Sequence, residues 1–137
     1  MSLKVLLVED QAIIRMDLEE TIIQMGHQVV GMTAFGEEAV QLFEQLKPEI
    51  IVMDIGLAGE MDGIEAATII SKKASCTIIF LTGNDDQDSL IRASRNVKPL
   101  AYLIKPFNRE ELSRTFALAA ANSDDIKRSN RGFSQTQ

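Results

Sequence analysis

Four short, unbroken apolar runs limit what this chain can fold into. They lie at residues 5–8 (VLLV), 50–53 (IIVM), 78–81 (IIFL) and 100–104 (LAYLI). Each has the length of a strand, and none shows the polar alternation of a half-exposed sheet. Such runs suit central strands of a parallel sheet covered on both faces. A weaker candidate at residues 28–33 (QVVGMT) reads as an edge strand.

Helical stripes fill the intervals. Ile14, Leu18, Ile22 and Met25 recur at helical spacing, and Gly26 follows as a stop. Ala39, Phe43 and Leu46 form a second stripe ended by Pro48, and Ile64, Ala67 and Ile70 a third beginning after Asp62-Gly63. Leu90 and Ala93 give a short, weak fourth. Leu112, Phe116 and Ala119 make the last, with Asn108 and Glu111 spaced as an N-terminal cap. A βα unit repeated five times predicts a parallel sheet with helices on both sides and right-handed crossovers. Residues 1–122 are expected to form this domain. Residues 123–137 turn polar and read as a tail or the start of a linker.

Composition narrows the chemistry. Twenty acidic against fourteen basic residues argue against a broad basic face for nucleic acid. No apolar run approaches the roughly 18 to 20 residues that span a bilayer. The N-terminus is a poor signal peptide, so a cytoplasmic, reducing location is expected. A single cysteine, Cys76, excludes an intramolecular disulfide and a thiolate zinc cluster. A single histidine, His27, excludes a multi-histidine metal site; it is expected at the surface or a helix end. Carboxylates, hydroxyls and lysine remain.

The residues that close the strands carry the functional signal. The first run ends in Glu9-Asp10, the second in Asp54, the third in Thr82 and the fourth in Lys105. Open parallel sheets bind ligands at the carboxyl ends of their strands. Three carboxylates against one ammonium leave that edge net negative. Two like charges about 4 Å apart repel by roughly 4 kcal/mol at an effective dielectric near 20. Such an edge calls for a cation, and an all-oxygen donor set favours a hard ion such as Mg²⁺. With that charge offset, the site suits a phosphoryl group.

These residues, in this order, resemble the receiver domain of two-component response regulators. The match comprises Glu9-Asp10, Asp54, the loop from Leu57 to Asp62-Gly63, Thr82-Gly83, and Tyr102-Leu103-Ile104-Lys105-Pro106-Phe107. It covers about residues 4 to 121. The resemblance implies a flavodoxin-like α/β fold, with a doubly wound five-stranded parallel sheet in the order 2-1-3-4-5 and five helices. It implies that Asp54 accepts a phosphoryl group from a sensor histidine kinase or a histidine phosphotransfer protein. Asp10, Asp54 and the backbone carbonyl of Gly56 would ligate Mg²⁺, with Glu9 acting mainly through metal-bound water. Lys105 would pair with Asp54 and then with the phosphoryl group. Thr82 would donate its hydroxyl to a phosphoryl oxygen, and Tyr102 would be the aromatic switch. The Lys105-Pro106 bond is expected cis.

Such a protein is a switch that catalyses only its own phosphotransfer and dephosphorylation. Its expected docking surface, for a downstream protein or a second copy, combines the fourth helix, fifth strand and fifth helix. Arg92, Arg95 and Lys98 place positive charge nearby. Direct nucleic-acid or membrane contact is not expected. Rival readings are a receiver-like interaction module that works without phosphorylation, an aspartate phosphatase, and a flavin carrier. The phosphatase reading lacks a second acid at Gly56, and Glu9-Asp10 would repel a flavin phosphate. Two departures stand out. Many receivers carry proline four residues after the phosphoacceptor, where this chain has Ala58, and Gly59-Glu60-Met61 lengthens that loop. Pro99 also precedes the fifth strand, where many relatives have small residues.

Overall fold

A computed structural model describes residues 2–83, 91–92 and 95–136, with side chains described up to residue 122. The chain runs β1 (Lys4–Val8), α1 (Ala12–Gln24), β2 (Gln28–Thr33), α2 (Gly36–Leu46), β3 (Ile50–Asp54), α3 (Gly63–Lys73), β4 (Thr77–Thr82), β5 (Ala101–Ile104) and α4 (Arg109–Thr136). All neighbouring strands pair in parallel, in the order β2-β1-β3-β4-β5. This is the expected sheet. Of the weak stripe between β4 and β5, Leu90 and Ala93 lie outside the described residues. The flanking pairs 91–92 and 95–96 have helical backbone. The polar stretch from Ser123 begins inside α4, and its side chains also lie outside the described residues.

The period-2 alternation of a strand sorts the core into two layers. Leu6, Val8, Ile51, Met53, Ile78 and Phe80 point to one face, against Ala39 and Phe43 of α2 and Ile64, Ala67 and Ile70 of α3. Val5, Leu7, Ile50, Val52, Ile79 and Leu81 point to the other, against Leu18 and Ile22 of α1 and Leu112, Phe116 and Ala119 of α4. Both faces of β1, β3 and β4 are therefore dry, which is why their sequences show no alternation.

β5 corrects the expectation of a strand covered on both faces. Leu103 is buried, but Tyr102 is 36% and Ile104 54% exposed. The sheet order places β5 at an edge, so its alternate residues meet solvent.

Several local devices fix the connections. Asp62 caps α3 by accepting from the Glu65 N–H at 2.8 Å, and the Glu65 side chain returns to the Asp62 N–H. Asn108 accepts from the Glu111 N–H at 2.8 Å, as its spacing implied. His27 is more than a surface residue. Its Nδ1 accepts the Leu3 N–H at 3.0 Å, and its ring lies 5.1 Å from that of Phe116. Burial lowers its pKa below the usual histidine value, with the positive N-terminus acting in the same direction. Cys76 is partly buried beside the α2–α3 layer, and burial pushes its thiol up to about 12. The Lys105-Pro106 bond is cis, as expected.

Gly63 brings α3 against the end of β3. Its N–H donates to the Ile55 carbonyl at 3.1 Å. A Cβ at position 63 would lie 2.1 Å from the Asp54 carbonyl oxygen. No rotamer relieves a clash with main chain, so α3 or the end of β3 must move. Gly63→Ala is expected to destabilise the fold by about 3 kcal/mol. A urea midpoint within error of the wild type would show that this approach is not tight.

Candidate functional site

The carboxyl ends of β1, β3, β4 and β5 converge on one pocket, and the backbone ladders carry each polar side chain to it. Asp54 is the last residue of β3, paired with Leu81 of β4. It is only 6% exposed. Its Oδ1 accepts the Gly56 N–H at 3.1 Å, and its Oδ2 lies 2.9 Å from the Lys105 ammonium. Lys105 follows β5, where its own N–H donates to the Thr82 carbonyl at 2.7 Å. The expected residues Glu9, Asp54 and Lys105 are thus brought together, with Thr82 joined through its carbonyl and Asp10 at the rim.

Glu9 is fully buried, an unusual state for a carboxylate. Its N–H donates to the Thr33 carbonyl at 3.0 Å, and its Oε2 accepts the Gln11 N–H at 3.1 Å. Oε1 lies 2.8 Å from the Lys105 ammonium as an ion pair, but no hydrogen bond of good geometry reaches it. Burial dominates and raises its pKa to about 7, against the Lys105 and Gln11 contacts that lower it; Asp54 adds to the rise. Burial also acts to lower the Lys105 pKa. Its contacts with Glu9 and Asp54 outweigh that effect and hold the ammonium above its ordinary value.

Two further features suit an added ligand. Carboxylate oxygens of Glu9, Asp10 and Asp54 all lie within 4.8 Å of one another. Together with the incompletely bonded Glu9 Oε1, this all-oxygen set fits a hard divalent cation. The Thr82 hydroxyl is buried and has no hydrogen-bond partner among the described residues. An unpaired buried hydroxyl costs free energy, so a missing acceptor beside it is a functional signal. Tyr102, one strand over, stacks on buried Phe80 with ring centroids 5.8 Å apart. Burial raises the pKa of its phenol.

Other participants were not expected from the sequence. Arg15 on α1 donates to the Glu9 carbonyl at 2.8 Å. The Ala58 N–H donates to Asp10 Oδ2 at 3.2 Å, and the Met61 N–H to Glu37 Oε1 at 2.8 Å. Arg92 pairs with Asp62 at 2.6 Å, which gives one of the three noted cations a fixed partner. Main-chain donors have no residue signature. The missing proline at position 58 was the only hint of the Asp10 contact.

The model for the response regulator receiver domain matches residues 5–117. The chain belongs to that family. This receiver domain is 38% identical over 123 residues to the transcriptional regulatory protein PdtaR of Mycobacterium tuberculosis, covering 90% of this chain and 59% of that protein. It therefore spans little more than half of that relative's length. It is 34% identical to the chemotaxis protein CheY of Thermotoga maritima, over 78% of this chain and 88% of CheY. Among solved structures, the receiver domain of a modulated diguanylate cyclase from Desulfovibrio desulfuricans G20 superposes with a TM-score of 0.83. The two are 33% identical, with coverage of 90% and 98%. Receiver membership gives the chain a role in two-component signalling. Among the described residues, no helix is long and apolar enough to cross a membrane.

The raised Glu9 pKa has a defined sign. The folded protein binds the Glu9 proton more tightly than the unfolded chain, whose glutamate titrates near 4.5. That contribution is full below about 4.5 and is lost as pH rises through about 7. In chelator, the wild type is expected to lose stability between pH 5 and about 7.5 relative to Glu9→Gln. Parallel urea midpoints for the two proteins across that range would contradict it.

Proposed function

We propose that this receiver domain is a phosphorylation switch. Asp54 accepts a phosphoryl group from a phosphohistidine of a sensor kinase or phosphotransfer protein in the cytoplasm. The observation that carries this reading is the pairing of a nearly buried Asp54 carboxylate with the Lys105 ammonium, whose own N–H binds the carbonyl of Thr82, a residue whose buried hydroxyl has no partner among the described residues. A carboxylate oxygen of Asp54 attacks phosphorus as the P–N bond to imidazole breaks. Lys105 then turns from the Asp54 carboxylate to the transferred group, and the Thr82 hydroxyl donates to one of its oxygens. Glu9, Asp10 and Asp54, with the Gly56 carbonyl, are the oxygens that would hold Mg²⁺. Once bound, the ion offsets the charge of carboxylates and phosphoryl oxygens.

The new charge and acceptor oxygens at Asp54 are registered through Thr82 and passed to Tyr102. The readout face includes the exposed Tyr102 and Ile104 of β5, and a downstream protein or a second copy docks there. The matched relatives include a transcriptional regulator and a chemotaxis protein, which supports a common input with differing outputs. An interaction module independent of phosphorylation would have no need of the full set Glu9, Asp10, Asp54, Thr82 and Lys105.

Incubation with acetyl phosphate and Mg²⁺ is expected to add the mass of one phosphoryl group to the wild type and none to Asp54→Asn. Removal of Mg²⁺ by chelation should abolish the gain. A wild type that gains nothing would favour the interaction module. A gain that persists in Asp54→Asn would place the acceptor elsewhere.

A further inference from the structure

The departure at Ala58 has a chemical consequence for the pocket. Lys105 serves two of the three carboxylates, Glu9 and Asp54. Among the described residues, no cation pairs with Asp10. Among the described residues its polar partner is the Ala58 N–H, 3.2 Å from Oδ2. Repulsion from Glu9 and Asp54 drives the Asp10 carboxylate outward, toward solvent. A fixed donor on Oδ2 opposes that drift and keeps the carboxylate beside the cluster, where an Asp10 oxygen lies within 4.8 Å of those of Glu9 and Asp54. Proline, which many receivers carry at this position, has no N–H to give.

The loop that carries this donor is itself held. Met61 N–H binds Glu37 Oε1 at 2.8 Å, so the far end of the loop is tied to the first turn of α2. Gly36 leaves room for that contact, since a Cβ there would lie 2.8 Å from the Met61 carbonyl oxygen. Gly59 turns the chain between the two ties with φ +97°, and the site of its absent Cβ is 3.7 Å from Phe35. The longer Gly59-Glu60-Met61 stretch is thus a strap from the Asp10 carboxylate to α2.

We propose that the main-chain N–H of Ala58 is a positioning group that presets Asp10 for a divalent cation. In this chain it takes over part of the work of a stiff proline loop. The proposal rests on the reading of the acid cluster as a Mg²⁺ site. It concerns binding of the ion, not transfer of the phosphoryl group.

The test is a Mg²⁺ titration of the wild type, Ala58→Pro and Ala58→Gly without a phosphoryl donor, followed by amide chemical shifts. Glycine keeps the N–H and proline removes it. Ala58→Pro is expected to bind Mg²⁺ about tenfold more weakly, the lower end of the effect of one hydrogen bond to a charged group. Ala58→Gly should stay within about twofold of the wild type, and melting temperatures in chelator should be alike. Equal Mg²⁺ affinity in Ala58→Pro would overturn the proposal. So would a loss in Ala58→Gly as large as in proline, because loop stiffness would then be the cause. Proline also restricts Leu57, so wild-type hydrogen exchange gives an independent measure. The Ala58 amide should exchange more slowly in the metal-free wild type than in Asp10→Ala, and equal rates would count against the bond. If Mg²⁺ binds as described but acetyl phosphate adds no mass, the phosphorylation reading fails and the role of Ala58 stands.

Discussion

The Lys105 ammonium holds the carboxyl edge of this sheet together. It lies 2.8 Å from a Glu9 oxygen and 2.9 Å from an Asp54 oxygen, and both acids are nearly or wholly buried. Without it, Glu9 and Asp54 could not both stay ionised in so poorly solvated a site. Their repulsion would be of the order of several kcal/mol. The sheet order explains how one lysine reaches both. β5 sits beside β4, and the Lys105 N–H binds the Thr82 carbonyl, so the side chain starts at the end of β5, alongside β4, and extends across to Asp54 of β3 and Glu9 after β1. One ammonium cannot fully satisfy both partners. Glu9 Oε1 is left without a well-formed hydrogen bond, and the Glu9 carboxyl is pushed toward its neutral form.

The parts of the fold that were legible in the sequence are those in which both faces of an element have the same environment. The runs ending at Val8, Met53 and Leu81 carry no polar residue because each is sandwiched between helices. The acids and hydroxyl that follow them stand at the points where that dry environment ends. β5 was misjudged for the same physical reason. Its run is as apolar as the others, but Tyr102 and Ile104 are exposed. Exposed apolar residues at an edge cannot be told from buried ones by composition. Only the strand order separates them, and that order comes from crossover rules and the family resemblance, not from the run itself.

The candidate site was legible in its side chains and hidden in its main chain. Glu9, Asp10, Asp54, Thr82 and Lys105 could be picked out because charged or hydroxyl groups rarely close buried strands without a use. The donors that orient them left no such trace. Gln11, Gly56 and Ala58 contribute backbone N–H groups, which every residue but proline possesses. Arg15 reaches the Glu9 carbonyl from one turn into α1, an alignment set by the loop rather than by helical spacing. Such groups become visible only once the turns between strand and helix are fixed. Each backbone N–H fixes one oxygen of its carboxylate: Glu9 Oε2, Asp54 Oδ1 and Asp10 Oδ2.

The Thr82 hydroxyl connects this static arrangement to change. It is buried at the end of β4 and has no partner among the described residues; a hydroxyl left unbonded costs roughly 1 to 3 kcal/mol relative to a bonded one. A fold retains such a group when another state satisfies it. Under the proposed transfer, an acceptor arrives as a phosphoryl oxygen on Asp54, and the new bond acts on the end of β4. β5 lies beside that end of β4. That strand is an edge with one buried residue of four, and Tyr102 rests on Phe80 rather than deep in the core. The strand left half-exposed by the sheet order is therefore the one best placed to report a change made in the most buried corner of the pocket.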